Sequence, residues 1–251
     1  MSISISTNIS SHLAQQSVAR AGTSIDSSLH KLATGFRINR AADDPSGLIA
    51  STNLQAALAA LESESASIQR IDAVASVAEG ALSEVSGLLN DASAAALAAE
   101  NTGALSEAER DAYQLQVNSA RQSIDRIVST TEFNGQNLLS GAAALTSGDS
   151  SVPISRIAAP AATLDSIAAA IAQVSTLRAQ IGAFQKETLG AQSALNESAA
   201  ENTAAANSSI RDTDFAAESA AFARARVLHS SSIAALAIAN ITPRNALSIL
   251  A

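Results

Sequence analysis

The chain has no cysteine, no tryptophan and one tyrosine among 251 residues. Without cysteine there can be no disulfide, no thiolate metal site and no cysteine nucleophile. Three histidines, His12, His30 and His229, stand far apart in sequence and lack metal-ligand spacing, so neither a metal nor a cofactor is expected. Basic residues are also scarce: 15 Lys and Arg against 23 Asp and Glu give a net charge of −8. A protein that binds nucleic acid must neutralise phosphates, and no basic run exists to do so. No apolar run reaches the length of a membrane span, so membrane insertion is not expected. The opening residues MSISISTNIS lack the charged and apolar regions of a secretory signal. Export, if it happens, must use a route that does not read one.

What is abundant is alanine, 58 of 251 residues, within 47% hydrophobic content that is only 2% aromatic. Alanine has the highest helix propensity and lets helices approach closely. The composition therefore predicts long, closely packed helices. The stretch from Leu48 to Glu100 shows the pattern most clearly. Leu54, Leu61, Ile68, Ala75, Leu82, Leu89 and Ala96 recur every seven residues, and Ala57, Glu64, Ile71, Ala78, Val85 and Ala92 follow each three places on. This is a heptad seam along a helix about 75 Å long, too long to cover its own stripe.

Residues 1 to 10 alternate Ser with Ile and are expected to be poorly ordered in the free chain. A shorter seam from Ser11 to Phe36 carries Val18, Ile25 and Leu32 on one line and Gly22, Leu29 and Phe36 on the next. It stops at Gly35. The polar run Arg37, Ile38, Asn39 to Asp43, Asp44 and Gly47 follows, with Asp44 as helix cap and Pro45 at the first helical position. Asp43 and Asp44 read as a helix cap plus a subunit salt bridge rather than a catalytic pair, because Pro45 follows, and no nucleophile, base and orienting group can be assembled from the other acids. The chain is not expected to be an enzyme.

Ser106 and Glu109 match a capping box, and the helix they open should fold back on the rod with Tyr113, Ala120 and Ile127 beside Val117 and Ile124. After it, Phe133 precedes Asn134-Gly135, a strong tight-turn signal. Residues 142 to 163 read as an irregular link with at most short strands. A third seam takes Ile167, Val174, Ile181, Thr188 and Leu195, partnered by Ala170, Leu177, Phe184, Ala191 and Ser198. The run 201 to 214 is either continuous helix or a joint. Phe215, Phe222, His229 and Leu236 then recur at sevens beside Ala221, Leu228 and Ala235, until Asn240 to Pro243 is expected to break the helix and leave an apolar tail with Leu247 and Leu250.

The predicted fold is mainly α: an elongated antiparallel helical bundle or coiled coil with a short hairpin-like region, its N- and C-terminal helices paired at one end. Three segments are expected: residues 1–46, residues 47–210 with the hairpin and link near 130–163, and residues 211–251.

LHKLATGFRINRAADDPSGLIAS (29 to 51), AEGALSEV (78 to 85), IDRIVSTTEFNGQNLLSG (124 to 141) and SIRDTDFAAESAAFARARVL (209 to 228) resemble the bacterial flagellins. The resemblance covers most of the chain. It implies a subunit that polymerises with itself into the flagellar filament for motility, with 1–46 and 211–251 as its inner core domain and 47–210 as its outer helical rod, outside the cell after export through the flagellar type III apparatus. It also implies an export chaperone gripping the region Phe215 to Leu250, and contacts with hook-associated and cap proteins. The joint residues Arg37 to Gly47, the turn at Phe133 to Gly135 and the terminal-helix residues are the expected assembly positions. Toll-like receptor 5 recognises an arginine-bearing stretch in many flagellins, where this chain has NDASAAA, with Asp91 and Ser93 in the arginine places and Ala95 for a leucine. Weak recognition is expected. Other readings of the same heptads are a hook-filament junction protein and a soluble coiled-coil adaptor.

Overall fold

The computed structural model describes residues 7–100, 103 and 105–250, with the side chains of 242–250 excepted. The elements run α1 (Ile9–Thr34), α2 (Pro45–Ala99), α3 (Glu107–Thr130), β1 (Glu132–Phe133), β2 (Gln136–Asn137), β3 (Ala144–Ser147), β4 (Ser150–Pro153), α4 (Leu164–Ala183), a π-helical segment Phe184–Leu189, α5 (Gly190–Arg211) and α6 (Phe215–Leu250). The mainly α fold with antiparallel helices and short hairpins is as the sequence pattern predicts. Contacts divide the chain into two compact units, Met1–Leu58 with Glu201–Ala251, and Ala59–Ala200.

The unit 59–200 holds a continuous core. From Ile68 onward α2 buries the predicted seam: Ala75, Ala78, Leu82, Val85, Leu89 and Ala92 are each fully inaccessible. Val117, Ala120, Ile124 and Val128 of α3 and Ile167, Val174, Leu177 and Ile181 of α4 close on it. Helix α3 starts on the predicted capping box, with Ser106 and Glu109 each bonding the other's backbone. Helix α4 and its continuation run antiparallel to α2. Arg178 donates two bonds to Glu79 Oε1, at 2.7 and 2.8 Å, and Gln185 donates to Asp72 at 2.8 Å. Because Arg178 and Glu79 stay about one-third exposed, the ion pair is worth at most about 1 kcal/mol. Apolar burial holds this unit.

Several expectations fail along α2 and α5. Ala57 and Glu64, assigned to the seam, are exposed, while Leu58 and Ser65 are half-buried. A helix has 3.6 rather than 3.5 residues per turn, so a strict heptad line drifts around the cylinder, and a charged Glu stays in water. After Phe184 the third seam slips by one place: Leu195 is 71% exposed, and Asn196, only 7% exposed, occupies its place in the interior. The π-helical turn is the cause. It inserts one extra residue, so the line Ile167, Val174, Ile181 continues through Leu189 and Asn196 rather than Thr188 and Leu195. Asn196 lies inside because its amide donates to the Leu61 carbonyl at 2.8 Å.

The link is more ordered than predicted. Asn134 (φ 53°) and Gly135 (φ 76°) form the two-residue turn between β1 and β2, the left-handed pair that an Asn-Gly hairpin requires. A second hairpin, β3 with β4, turns at Gly148. Leu138, Leu139, Leu145, Ile154 and Ile157 are all buried in the core. Asn137 ties the first hairpin to α3: its amide donates to the carbonyls of Val128 and Ser129, and its oxygen accepts the Leu139 N–H. These bonds satisfy carbonyls that a helix end leaves open. The stretch Leu164–Arg211 contains an 18-residue window of mean hydropathy 1.2, long and apolar enough by composition to cross a membrane, contrary to the reading that no such run exists. Its apolar seam supplies core residues, which accounts for that hydropathy.

Candidate assembly surface

The unit formed by 1–58 and 201–251 is built from α1, the segment 35–44, the start of α2, the end of α5, and α6. Asn8 caps α1 by accepting the Ser11 N–H, so the helix starts at Ile9, two residues before the predicted seam. Gly35 ends α1 with φ 74°, its N–H bonding the Lys31 carbonyl. This is the left-handed termination for which glycine is preferred. Helices α1 and α6 pair antiparallel, fixed near one end by Lys31 with Glu218 at 3.6 Å and near the other by Asn8 with the Ala239 carbonyl at 2.9 Å. Their shared face uses the small residues Ser11, Ala21, Ser28 and Ala225, all buried.

The joint between these helices is held by backbone bonds. Phe36 and Asp212 form an isolated antiparallel bridge. The Arg37 N–H donates to the Arg211 carbonyl, and the Thr213 N–H to the Gly35 carbonyl. Arg37 also donates its guanidinium to the Ile210 carbonyl, and the Arg211 guanidinium lies 4.2 Å from the centre of the Phe36 ring. Asn39 donates to the Phe36 carbonyl. Asp43 accepts the N–H groups of Asn39 and Arg40, and these bonds hold its carboxyl below the usual carboxylate range. Asp44 accepts from the Gly47 N–H and the Ser46 hydroxyl, with the same effect. Thus Asp44 is the predicted cap of α2, and Asp43 closes the turn before it. Ile38 is 2% exposed beneath the joint. A Cβ on Gly47 would stand 2.3 Å from an Asp44 carboxylate oxygen and 2.7 Å from Ile38. Residues 212–214 resolve the open reading as a joint, and Asp214 caps α6 through the N–H groups of Ala216 and Ala217. Ser51, 1% exposed, donates to Asn207 and ties α2 to α5 within this unit.

This unit has little interior. Among the described residues, Ala21, Ile38 and Ala225 are the buried hydrophobic residues here, against 26 in the core of the other unit. Large apolar side chains instead face outward: Ile9, Leu13, Leu29, Ile49, Phe215, Val227, Leu228, Ile233, Ile238 and Ile241 are each at least 48% exposed. A groove of about 560 Å³ between α1 and α6 is lined by Leu13, Ala14, Leu228, Ala235 and Ile238. Among the predicted packing residues, Val18, Ile25, Leu32, Phe222 and Leu236 are half-buried. Leu29, Phe215 and Leu228 were expected to pack between the terminal helices and lie outside that contact, because the helix face actually buried runs through Ser28 and Ala225. Leu247 and Leu250 fall outside the residues whose side chains are described. Helix α6 continues through Asn240 and Pro243 to Leu250, where a break was expected. The Ala239 carbonyl, four residues before Pro243, is taken up by Asn8.

Asn8, Ser51, Asn137, Asn196 and Asn207 are polar residues whose partners lie far away in sequence or in another element, so periodicity gave no signal for them. His12 is exposed and His229 half-buried, with no hydrogen bond or ion pair joining them among the described residues. No group of three or more His, Asp or Glu side chains suited to a metal occurs among the described residues.

A mainly α chain with paired terminal helices, a bonded joint and an uncovered apolar surface is a subunit shaped for helix-to-helix association. Residues 5–144 match the bacterial flagellin N-terminal helical region and residues 164–250 the bacterial flagellin C-terminal helical region. The flagellar filament 30.7 kDa core protein of Treponema maltophilum is 31% identical over 288 residues, covering 98% of this chain and 99% of that protein. The chain belongs to the bacterial flagellin family. Among solved structures, a Bacillus cereus flagellin matches 55% of this chain and 88% of that one, at 18% identity and a TM-score of 0.38. A putative flagellar hook-associated protein from Vibrio parahaemolyticus matches 82% of this chain and 100% of that one, at 16% identity and a TM-score of 0.42.

Proposed function

We propose that this chain is a structural subunit that polymerises into the bacterial flagellar filament through the faces of α1 and α6. The carrying observation is the contrast between units: among the described residues, the terminal unit buries three hydrophobic residues and exposes ten large ones. An uncovered stripe on every copy, met by a different surface of the next, gives a contact that repeats without closing and grows a helical polymer. Residues 1–46 and 211–251 then form its inner part and 47–210 its outer part. The joint Arg37 to Gly47 sets the path between them.

The family also supports an extracellular, non-enzymatic role, export by the flagellar type III apparatus, and chaperone binding along Phe215 to Leu250. Contacts with hook-associated and cap proteins belong to the same reading. Weak Toll-like receptor 5 recognition follows from exposed Asp91 and buried Ala95, which offer neither a cation nor an apolar anchor. The test is negative-stain electron microscopy of purified chain with and without sheared filament seeds. Full-length protein should extend seeds into long filaments, while forms lacking 2–36 or 215–251 should not. Extension by both truncated forms would refute the assignment.

A further inference from the structure

Proline within a helix cannot supply the N–H that would bond the carbonyl four residues earlier. In α6 that proline is Pro243, and the carbonyl it leaves open belongs to Ala239. A half-buried carbonyl without a partner is costly. The structure answers with a side chain from the other end of the sequence: Asn8 Nδ2 donates to Ala239 O at 2.9 Å. The same side chain points its oxygen the other way, to accept the Ser11 N–H at 3.0 Å and cap α1. One amide thus starts the first helix and mends the last. We propose that Asn8 is the positioning residue that sets the register of α1 on α6, by recognising the single carbonyl that Pro243 frees.

The buried face between the two helices is made of Ser11, Ala21, Ser28 and Ala225, small residues that permit close approach and define position weakly. A regular helix interior offers no free carbonyl, because each is bonded along the helix. Sliding α6 by a turn would still bring Ala and Ser against α1, but would carry the carbonyl that Pro243 frees away from Asn8. The Lys31 to Glu218 contact, at 3.6 Å and partly exposed, tolerates such a slide better, since long charged side chains are adaptable and exposed pairs weak. The consequence for assembly rests on the filament reading above, since a shifted α6 would misplace Leu228, Ile233 and Ile238 on the outer surface.

The test is a double-mutant cycle read as critical concentration for seeded elongation. Asn8→Asp keeps the cap acceptor for Ser11 and removes the amide donor, and Asn8→Ser keeps a neutral cap with a side chain too short to reach. Pro243→Ala restores the N–H, so Ala239 no longer needs Asn8. Each Asn8 variant should raise the critical concentration by about fivefold or more in the native background and by less than twofold alongside Pro243→Ala. Equal effects in both backgrounds, or none in either, would overturn the assignment. If native protein does not elongate from seeds, the filament reading has failed. The cycle is then read from amide exchange over residues 232–241 of the dispersed chain. There, acceleration by Asn8→Asp that Pro243→Ala suppresses upholds the role of Asn8, and its absence overturns it.

Discussion

At the scale of single residues, the joint depends on close approach. An alanine at a helical glycine ordinarily stabilises by about 0.5–1 kcal/mol, and Gly22 of α1 has open space where a Cβ would stand, so Gly22→Ala should follow that rule. Gly47 should not. Its Cβ would press on Ile38 and on the Asp44 carboxylate, displacing the helix cap and disturbing a buried side chain. Gly47→Ala should therefore destabilise the terminal unit although it raises helix propensity. Faster amide exchange at residues 47–51 is the expected reading, and exchange slowed as in Gly22→Ala would contradict it. The carboxylates that close these turns set a pH dependence. Asp43, Asp44 and Glu109 titrate below their ordinary values because the charged forms accept backbone N–H bonds. A lowered folded pKa adds stability that is complete above the unfolded value, and that stability is lost as pH falls through the folded value. The contribution should hold at neutral pH and fade below the usual carboxylate range of about 4. Circular dichroism between pH 5 and 2 checks this, with Asp43→Asn expected to flatten part of the acid-side slope.

At the scale of elements, the π-helical turn Phe184–Leu189 is a counting device. It shifts the buried line of α5 by one residue, bringing in Asn196 and Leu189 and turning Leu195 outward. Removing one exposed residue from that turn, Glu187, should restore regular helix on both sides while leaving Leu189 and Asn196 on the buried line. Thermal stability should change little. Removing Ser198 instead should rotate everything after it and lower the melting temperature by several degrees, measured by circular dichroism. Equal losses would mean that the π turn is no register device. This turn also shows where sequence reading stops. Heptad counting located all the long helices, the buried stripe from Ile68 to Ala96 and the Asn134-Gly135 hairpin, because burial and turn geometry impose local patterns. It could not see an inserted residue, which leaves the composition helical and only displaces the phase. For the same reason Glu64 was assigned to a seam, and the break expected at Pro243 did not anticipate that Asn8 would satisfy the freed carbonyl. The turn at Asp44-Pro45 and the stop at Gly35 were legible since their residues act on their own backbone. The bridge from Phe36 to Asp212 joins positions 176 apart, and nothing local announces it.

At the scale of the molecule, the two units differ in what stabilises them when the chain is alone. Residues 59–200 share 26 buried hydrophobic side chains from three helices and two hairpins. At roughly 1.5–3 kcal/mol for each large side chain buried, this unit can offset its own ordering cost. Among the described residues the terminal unit has three such residues, two of them alanine, together with backbone bonds at the joint, one partly exposed ion pair and the Asn8 contact. Local opening follows buried apolar contact, so the terminal unit should open far more often in the dispersed subunit and be protected when its faces are covered by other copies. Brief trypsin treatment provides the contrast, because sites are available in both units. Arg20, Lys31, Arg37, Arg40, Arg224 and Arg226 should be cut early in dispersed protein, while Arg70, Arg178 and Lys186 survive. In filaments the early sites should become resistant. Mass spectrometry of the first products decides the matter: early cleavage within 59–200, or terminal sites equally sensitive in filament and subunit, would show that covering the terminal faces is not what assembly accomplishes.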